Sequence, residues 1–281
     1  MDGRMKRSRW TPPPETDIDN AVLVSHLSID TYAIGRLRFS VISPEDLNAS
    51  RYTLVCLSLD ASDSSHNRRR AMEHLAQGIV KSCKQLADAH NVLLRVTTFG
   101  TYLNEIQGFT LLPQCNPANY QGAFSCMGMT ALNDAALDAV QATAAFGRYL
   151  HNRHRVANGV VVVVTDGCDN HSTFWPQQVR DALAVAVERG YLESITSILV
   201  GVLDKDSGAY QEMSDSLRRL ANQSGFTHYV EWDELNFADL LSLSHFIYDQ
   251  VFSAHRSLES VNNNVESESD DDSSRKPEEK N

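Results

Sequence analysis

No uninterrupted apolar run in this sequence approaches the ~20 residues that cross a bilayer as a helix. The longest, such as 159–164, are of strand size, so a membrane-spanning reading is dropped. Cysteines are few: Cys56, Cys83, Cys115, Cys126 and Cys168 are five in number, with no C-x-x-C pair among them. An odd, scattered set suits reduced thiols rather than a disulfide framework. GxxxxGK[ST] and GxGxxG are both absent, so nothing supports a glycine-rich loop that cradles phosphate. Cations are outnumbered, with 25 Lys and Arg against 36 Asp and Glu and a net charge of -11. Nucleic-acid binding by the chain as a whole is therefore not expected, because it depends on cations neutralising phosphates. The local exception is the stretch holding Arg4, Lys6, Arg7 and Arg9. No apolar segment follows those cations, so they do not read as a secretory signal, and a cytoplasmic location is expected.

What is present divides the chain into four parts. Residues 1–20 are basic and proline-rich, with Pro12, Pro13 and Pro14, and are expected to be flexible. Residues 21–50 form an extension in which Ile29, Tyr32, Ile34, Leu37, Phe39 and Val41 partly alternate, which predicts an added strand or hairpin interrupted at Gly35. Residues 51–255 carry the main domain. Residues 256–281 are polar, acidic and almost without aromatics, so they read as a disordered tail that buries too little apolar surface to order itself.

Within the main domain, short β-rich runs alternate with longer helical patterns, which indicates an α/β fold built on a mostly parallel sheet. Strands are expected at 52–59, 92–98, 160–165, 194–202 and 226–230, with a weaker strand or hairpin at 105–112. Helices are expected at 67–90, from Thr130 onward, and at 176–189, 209–222 and 235–254. The first helix shows Met72, Leu75, Ile79, Cys83 and Leu86 at spacings of three and four.

Ligands of open parallel sheets gather beyond the carboxyl ends of the strands. Three of the loops there carry oxygen donors. Asp60-Ala61-Ser62-Asp63-Ser64 places one carboxylate and two hydroxyls on a turn, Gly128-Met129-Thr130 adds a hydroxyl, and Thr165-Asp166-Gly167 ends the most apolar strand with a carboxylate. Hydroxyls and carboxylates from separate loops suit a small hard cation, Mg²⁺ first, with Mn²⁺ or Ca²⁺ fitting the same donors. With only two carboxylates, such an ion stays electrophilic, and a carboxylate from a partner fits its remaining positions.

These three elements, in this order and after these strands, resemble the metal-ion-dependent adhesion site (MIDAS) of von Willebrand factor A domains. DxSxS is matched by Asp60, Ser62 and Ser64, the family threonine by Thr130 within GMTALNDAAL, and the family aspartate by Asp166 within VVVVTDGCDN. The resemblance covers roughly residues 52–254. It implies a doubly wound, mostly parallel sheet with helices on both faces, one divalent cation at its top, and an Asp or Glu of a partner protein docked on that cation. It also implies that the last helix shifts in some members on binding. Two positions depart from the family pattern: Asp63 stands between the serines where a small residue is usual, and Ser65 stands where Met is frequent.

The functional expectation is a cation-dependent protein-binding module in an intracellular assembly or regulatory role, without catalytic residues. Two other readings stand beside it: a metal-dependent phosphoester hydrolase, and a scaffold whose metal is purely structural. The plainest alternative for the hydroxyls is that Ser64 and Thr130 only cap helices. His171, Phe174 and Trp175, in the loop after Asp166, are candidates for partner contact or for packing over the next helix. Cys168 with His171 makes only half a zinc site, and Ser64 near His66 lacks the third member of a triad.

Overall fold

Five consecutive valines, Val160, Val161, Val162, Val163 and Val164, are fully buried, and they form the middle of the central sheet. β-branched side chains in an unbroken run favour a strand covered on both faces. The structure, a computed structural model, describes residues 22–26, 29–34, 37–42, 47–87, 89–233 and 242–256. The expected basic N-terminus, the acidic tail after 256 and the start of the last helix lie outside those residues.

In chain order the strands are β1 (Val22–His26), β2 (Ile29–Ile34), β3 (Leu37–Ile42), β4 (Arg51–Asp60), β5 (Val92–Phe99), β6 (Leu103–Leu111), β7 (Val156–Thr165), β8 (Ser194–Leu203) and β9 (His228–Asp233). The helices are α1 (Arg69–Cys83), α2 (Leu132–His151), α3 (Pro176–Glu188), α4 (Tyr210–Ser224) and α5 (residues 242–256). The nine strands form one sheet in the order β1-β2-β3-β6-β5-β4-β7-β8-β9. β5, β4, β7, β8 and β9 run parallel, and β6 is antiparallel to β5. The fold is thus the expected α/β class with a mostly parallel, doubly wound sheet.

Alternation along each strand sends side chains to opposite faces. Val161, Val163, Leu54 and Leu199 pack with α2, α3 and α4 through residues such as Phe146, Val179 and Leu217. Val160, Val162, Leu57 and Val200 pack on the other face with α1 and α5 through Met72, Ile79, Leu243 and Ile247. Helix α2 is rich in buried alanine, including Ala135, Ala136, Ala139 and Ala142, which lets its backbone lie close to the sheet.

The chain leaves β4 toward β5 and β6 on one side, then crosses to β7, β8 and β9 on the other. Strand order therefore reverses between β4 and β7, and in such sheets the crevice beyond the carboxyl ends at that reversal is the natural ligand position. Asp60 ends β4 and Asp166 follows β7 directly.

Several elements differ from the sequence expectation. The extension contains a three-stranded antiparallel meander, in which Ile34 pairs with Leu37 across the expected interruption, and β3 joins β6 at Val41 and Phe109. The first helix stops at Cys83, because Gln85 N–H bonds Ser82 O and Leu86 N–H bonds Cys83 O, tightening the end into a 3-10 turn. β9 begins two residues later than expected. Gly225, at φ 70°, ends α4, and the Phe226 N–H returns to Ala221 O, so Phe226 belongs to the helix cap.

Candidate functional site

The site begins with two buried carboxylates. Asp60 Oδ1 accepts the Ser62 N–H at 2.8 Å, and its Oδ2 accepts the Thr165 hydroxyl at 2.6 Å. Asp166 Oδ1 accepts the Ser64 hydroxyl at 3.0 Å. Ser62 Oγ lies 3.0 Å from Ser64 Oγ, so four of the five expected donors form one connected cluster.

Thr130 joins from a third loop. A side-chain carbon added at Gly167 would stand 3.8 Å from Ser64 Oγ and 4.0 Å from Thr130 Oγ1, so both hydroxyls border the space over this turn. The Thr130 backbone is clamped: its N–H donates to Asn170 Oδ1 at 2.7 Å, and its carbonyl accepts from Asn170 N and His171 N. Its hydroxyl makes no hydrogen bond among the described residues.

Neither hydroxyl caps a helix. Helix α2 begins at Leu132, not at Thr130, and the residue before it, Ala131, has no capping side chain. The exposed N–H groups of α2 are met from the loop after β7 instead: Leu132 N–H donates to Asp169 Oδ1 at 2.9 Å and Asn133 N–H to Ser172 Oγ at 2.9 Å. In return, Asp134 in the first turn accepts the N–H groups of Thr173 and Phe174. The 3-10 turn Asp63–Arg68 likewise has no side-chain cap.

The loops are held together by backbone. Ala61 N–H bonds Phe99 O, Met127 N–H bonds Ala61 O, Asp63 N–H bonds Gly128 O, and Ala131 N–H bonds Gly100 O. Two glycines make that approach feasible. A Cβ at Gly100 would lie 2.4 Å from Met127 O, and Gly128, at φ 80°, would place one 2.1 Å from Thr101 Oγ1.

Three participants were not among the expected ligands. The Ser65 hydroxyl lies 2.9 Å from Asp166 Oδ1 and 3.2 Å from Asp60 Oδ1, bridging the two carboxylates. Thr165 holds Asp60 from below. Arg68 Nη1 sits 3.0 Å from Asp166 Oδ2. The one signal for Arg68 is its position four residues after Ser64. Asp63 is exposed, as a loop residue between the serines.

Electrostatics follow from this crowding. Burial pushes the Asp60 carboxyl above its ordinary value and the neighbouring Asp166 charge pushes it further, while hydrogen bonds from Ser62 and Thr165 pull it down. Two buried carboxylates flanked by small hydroxyls are a donor set that fits a hard divalent cation, which would relieve their mutual repulsion.

The rim is apolar. Tyr102 is 84% exposed, Met127 66%, Trp175 73% and Met129 47%, all on loops at this end of the sheet. Phe174 packs partly on the main core, and with Trp175, Asp169 and Arg219 it lines a separate pocket of about 310 Å³. His171 is exposed.

No protein-family model matches the chain, and no curated protein matches it. Solved structures similar to it include the PilB minor pilin from Streptococcus sanguinis, with a TM-score of 0.48 and 13% identity over 73% of this chain and 62% of that one. The pilus adhesin SpaC from Lactobacillus rhamnosus GG has a TM-score of 0.49 and 12% identity over 82% of this chain and 34% of that one. Proximal thread matrix protein 1 from the mussel byssus, in a structure with a zinc-occupied MIDAS motif, has a TM-score of 0.43 and 18% identity over 72% and 45%. The chain thus spans less than two thirds of the length of each of these three proteins.

Proposed function

We propose that this chain is a divalent-cation-dependent protein-binding module, acting in an intracellular assembly or regulatory role. Asp60, Ser62, Ser64, Thr130 and Asp166 would hold one ion, Mg²⁺ first among the candidates. Bound there, the ion would supply an electrophilic centre for an Asp or Glu side chain of a partner protein. The observation that carries this reading is that the hydroxyls of Ser64 and Thr130 border one space beside two buried carboxylates while capping no helix.

The protein's own groups would do the rest. Ser65 and Thr165 orient the carboxylates by donating to them. The capped start of α2 and the clamped Thr130 backbone fix the third loop, so little ordering remains to be done on binding. Tyr102, Met127 and Met129 offer apolar contact beside the acidic contact. The hydrolytic alternative gains one cation near the site, but the Arg68 guanidinium is engaged by Asp166 and so is not directed at a substrate phosphate.

The test is an array of immobilised peptides with a central Asp or Glu, each paired with its Asn or Gln counterpart, probed with the full chain in Mg²⁺ and in EDTA. Binding that needs both the carboxylate and the metal is the expected result. Binding indifferent to both would overturn the reading, and turnover of a generic phosphoester by the same preparation would favour the enzymatic one.

A further inference from the structure

We propose that Arg68 is a tethered cation that competes with the divalent ion for Asp166 and so sets the affinity of the site. The proposal rests on the cation-binding reading above and adds a regulator to it.

The Asp166 side chain is fully buried, and its two oxygens are used differently. Oδ1 accepts from the hydroxyls of Ser64 and Ser65, which are neutral, whereas Oδ2 accepts from Arg68 Nη1 at 3.0 Å. Arg68 is thus the charged partner at this pair of buried carboxylates. A guanidinium does not lose its proton in a protein, so this positive charge can be removed from the site only by moving the side chain.

Movement is feasible because of where Arg68 stands. It is the last residue of the 3-10 turn Asp63–Arg68, and its side chain is 31% exposed, so it can swing into water without disturbing the core. The turn that presents Arg68 also presents Ser64, so any adjustment of Ser64 toward an ion is coupled to the arginine. In the ion's absence the contact gives Asp166 a counter-charge. In its presence the same contact places like charges side by side.

The size of the effect follows from Coulomb's law. Even at the dielectric of bulk water, a unit charge ~6 Å from a divalent ion changes its affinity by about tenfold, and more where the site is drier. Removing the charge at position 68 should tighten metal binding by about that factor. It should also weaken the metal-free protein.

The experiment is calorimetric titration of Mg²⁺ and of Mn²⁺ into the full chain, the Arg68→Gln variant and the Arg68→Lys variant, with melting curves in EDTA and in saturating metal. The expected result is about tenfold tightening in Arg68→Gln, a lower melting temperature in EDTA and a larger upward shift on adding metal. Arg68→Lys, which keeps the charge, should remain near the parent affinity. Metal binding only in Arg68→Gln also supports the competition, while removing metal-dependent docking for the parent chain. Equal affinities in the parent and Arg68→Gln overturn the proposal and leave the metal site standing. Saturable binding in none of the proteins overturns both.

Discussion

The Asp169 carboxylate accepts the backbone N–H of Leu132 at 2.9 Å, across 37 positions of sequence. Through this bond the loop that follows Asp166 caps the helix that follows Thr130. Two of the three donor loops are therefore one mechanical unit, tied further by Ser172 on Asn133 and by Asp134 on Thr173.

Substituting Asp169→Ala removes the cap and leaves the Leu132 N–H without its acceptor. Loss of an N-terminal cap costs about 1 kcal/mol, and urea denaturation in EDTA reads it directly. Metal affinity should fall as well, because the start of α2, two residues after Thr130, loses one of its ties to the Asp166 loop. Unchanged stability and unchanged affinity would show that the two loops are not coupled.

Arg95 is buried in the sheet and anchors the second turn of α2. Its Nη1 lies 2.6 Å from Asp138 Oδ2 and its Nε 2.8 Å from Glu105 Oε2. Burial alone would pull the Arg95 pKa down, but the Asp138 charge beside it, with Cys56 and Glu105, holds it above its ordinary value. Neutralising Asp138 as Asn leaves a buried guanidinium half compensated, and breaking such a pair costs about 3–5 kcal/mol. Equilibrium denaturation checks this. A loss below about 1 kcal/mol would mean that Glu105 alone suffices.

Glu231 on β9 provides a pH test far from the donor cluster. Burial pushes its carboxyl up, but hydrogen bonds from Ser214 and Tyr210 and the Arg218 guanidinium outweigh this, leaving it below its ordinary value. A folded value below the unfolded one means that the ionised form stabilises the fold above the unfolded pKa. That contribution is lost as pH falls through the folded value. The stability difference between the parent and Glu231→Gln should be constant at neutral pH and shrink below pH ~4. A difference that does not change with pH would contradict the assignment.

Much of this was legible in the chain. The valine run at 160–164 and the apolar run at 53–57 mark central strands, because strands buried on both faces need apolar side chains at every position. That Asp60, Ser62, Ser64 and Asp166 come together was legible because they follow those two strands, which pair in the sheet. Ser65, Thr165 and Arg68 were not, since a hydroxyl or an arginine in a turn looks the same whether it faces solvent or a buried carboxylate. The start of α2 was misplaced at Thr130 because its caps, Asp169 and Ser172, come from a loop distant in sequence. Local propensity does not report a cap supplied across the sheet.

Binding of a divalent cation by these five residues is read by calorimetric titration of Mg²⁺ into the full chain and into Thr130→Ala. Because the Thr130 hydroxyl makes no hydrogen bond among the described residues, the variant should melt at the parent temperature in EDTA. It should lose Mg²⁺ affinity by about tenfold or more. Equal affinity in the two proteins, or no saturable binding in the parent, would mean that these residues do not form a cation site.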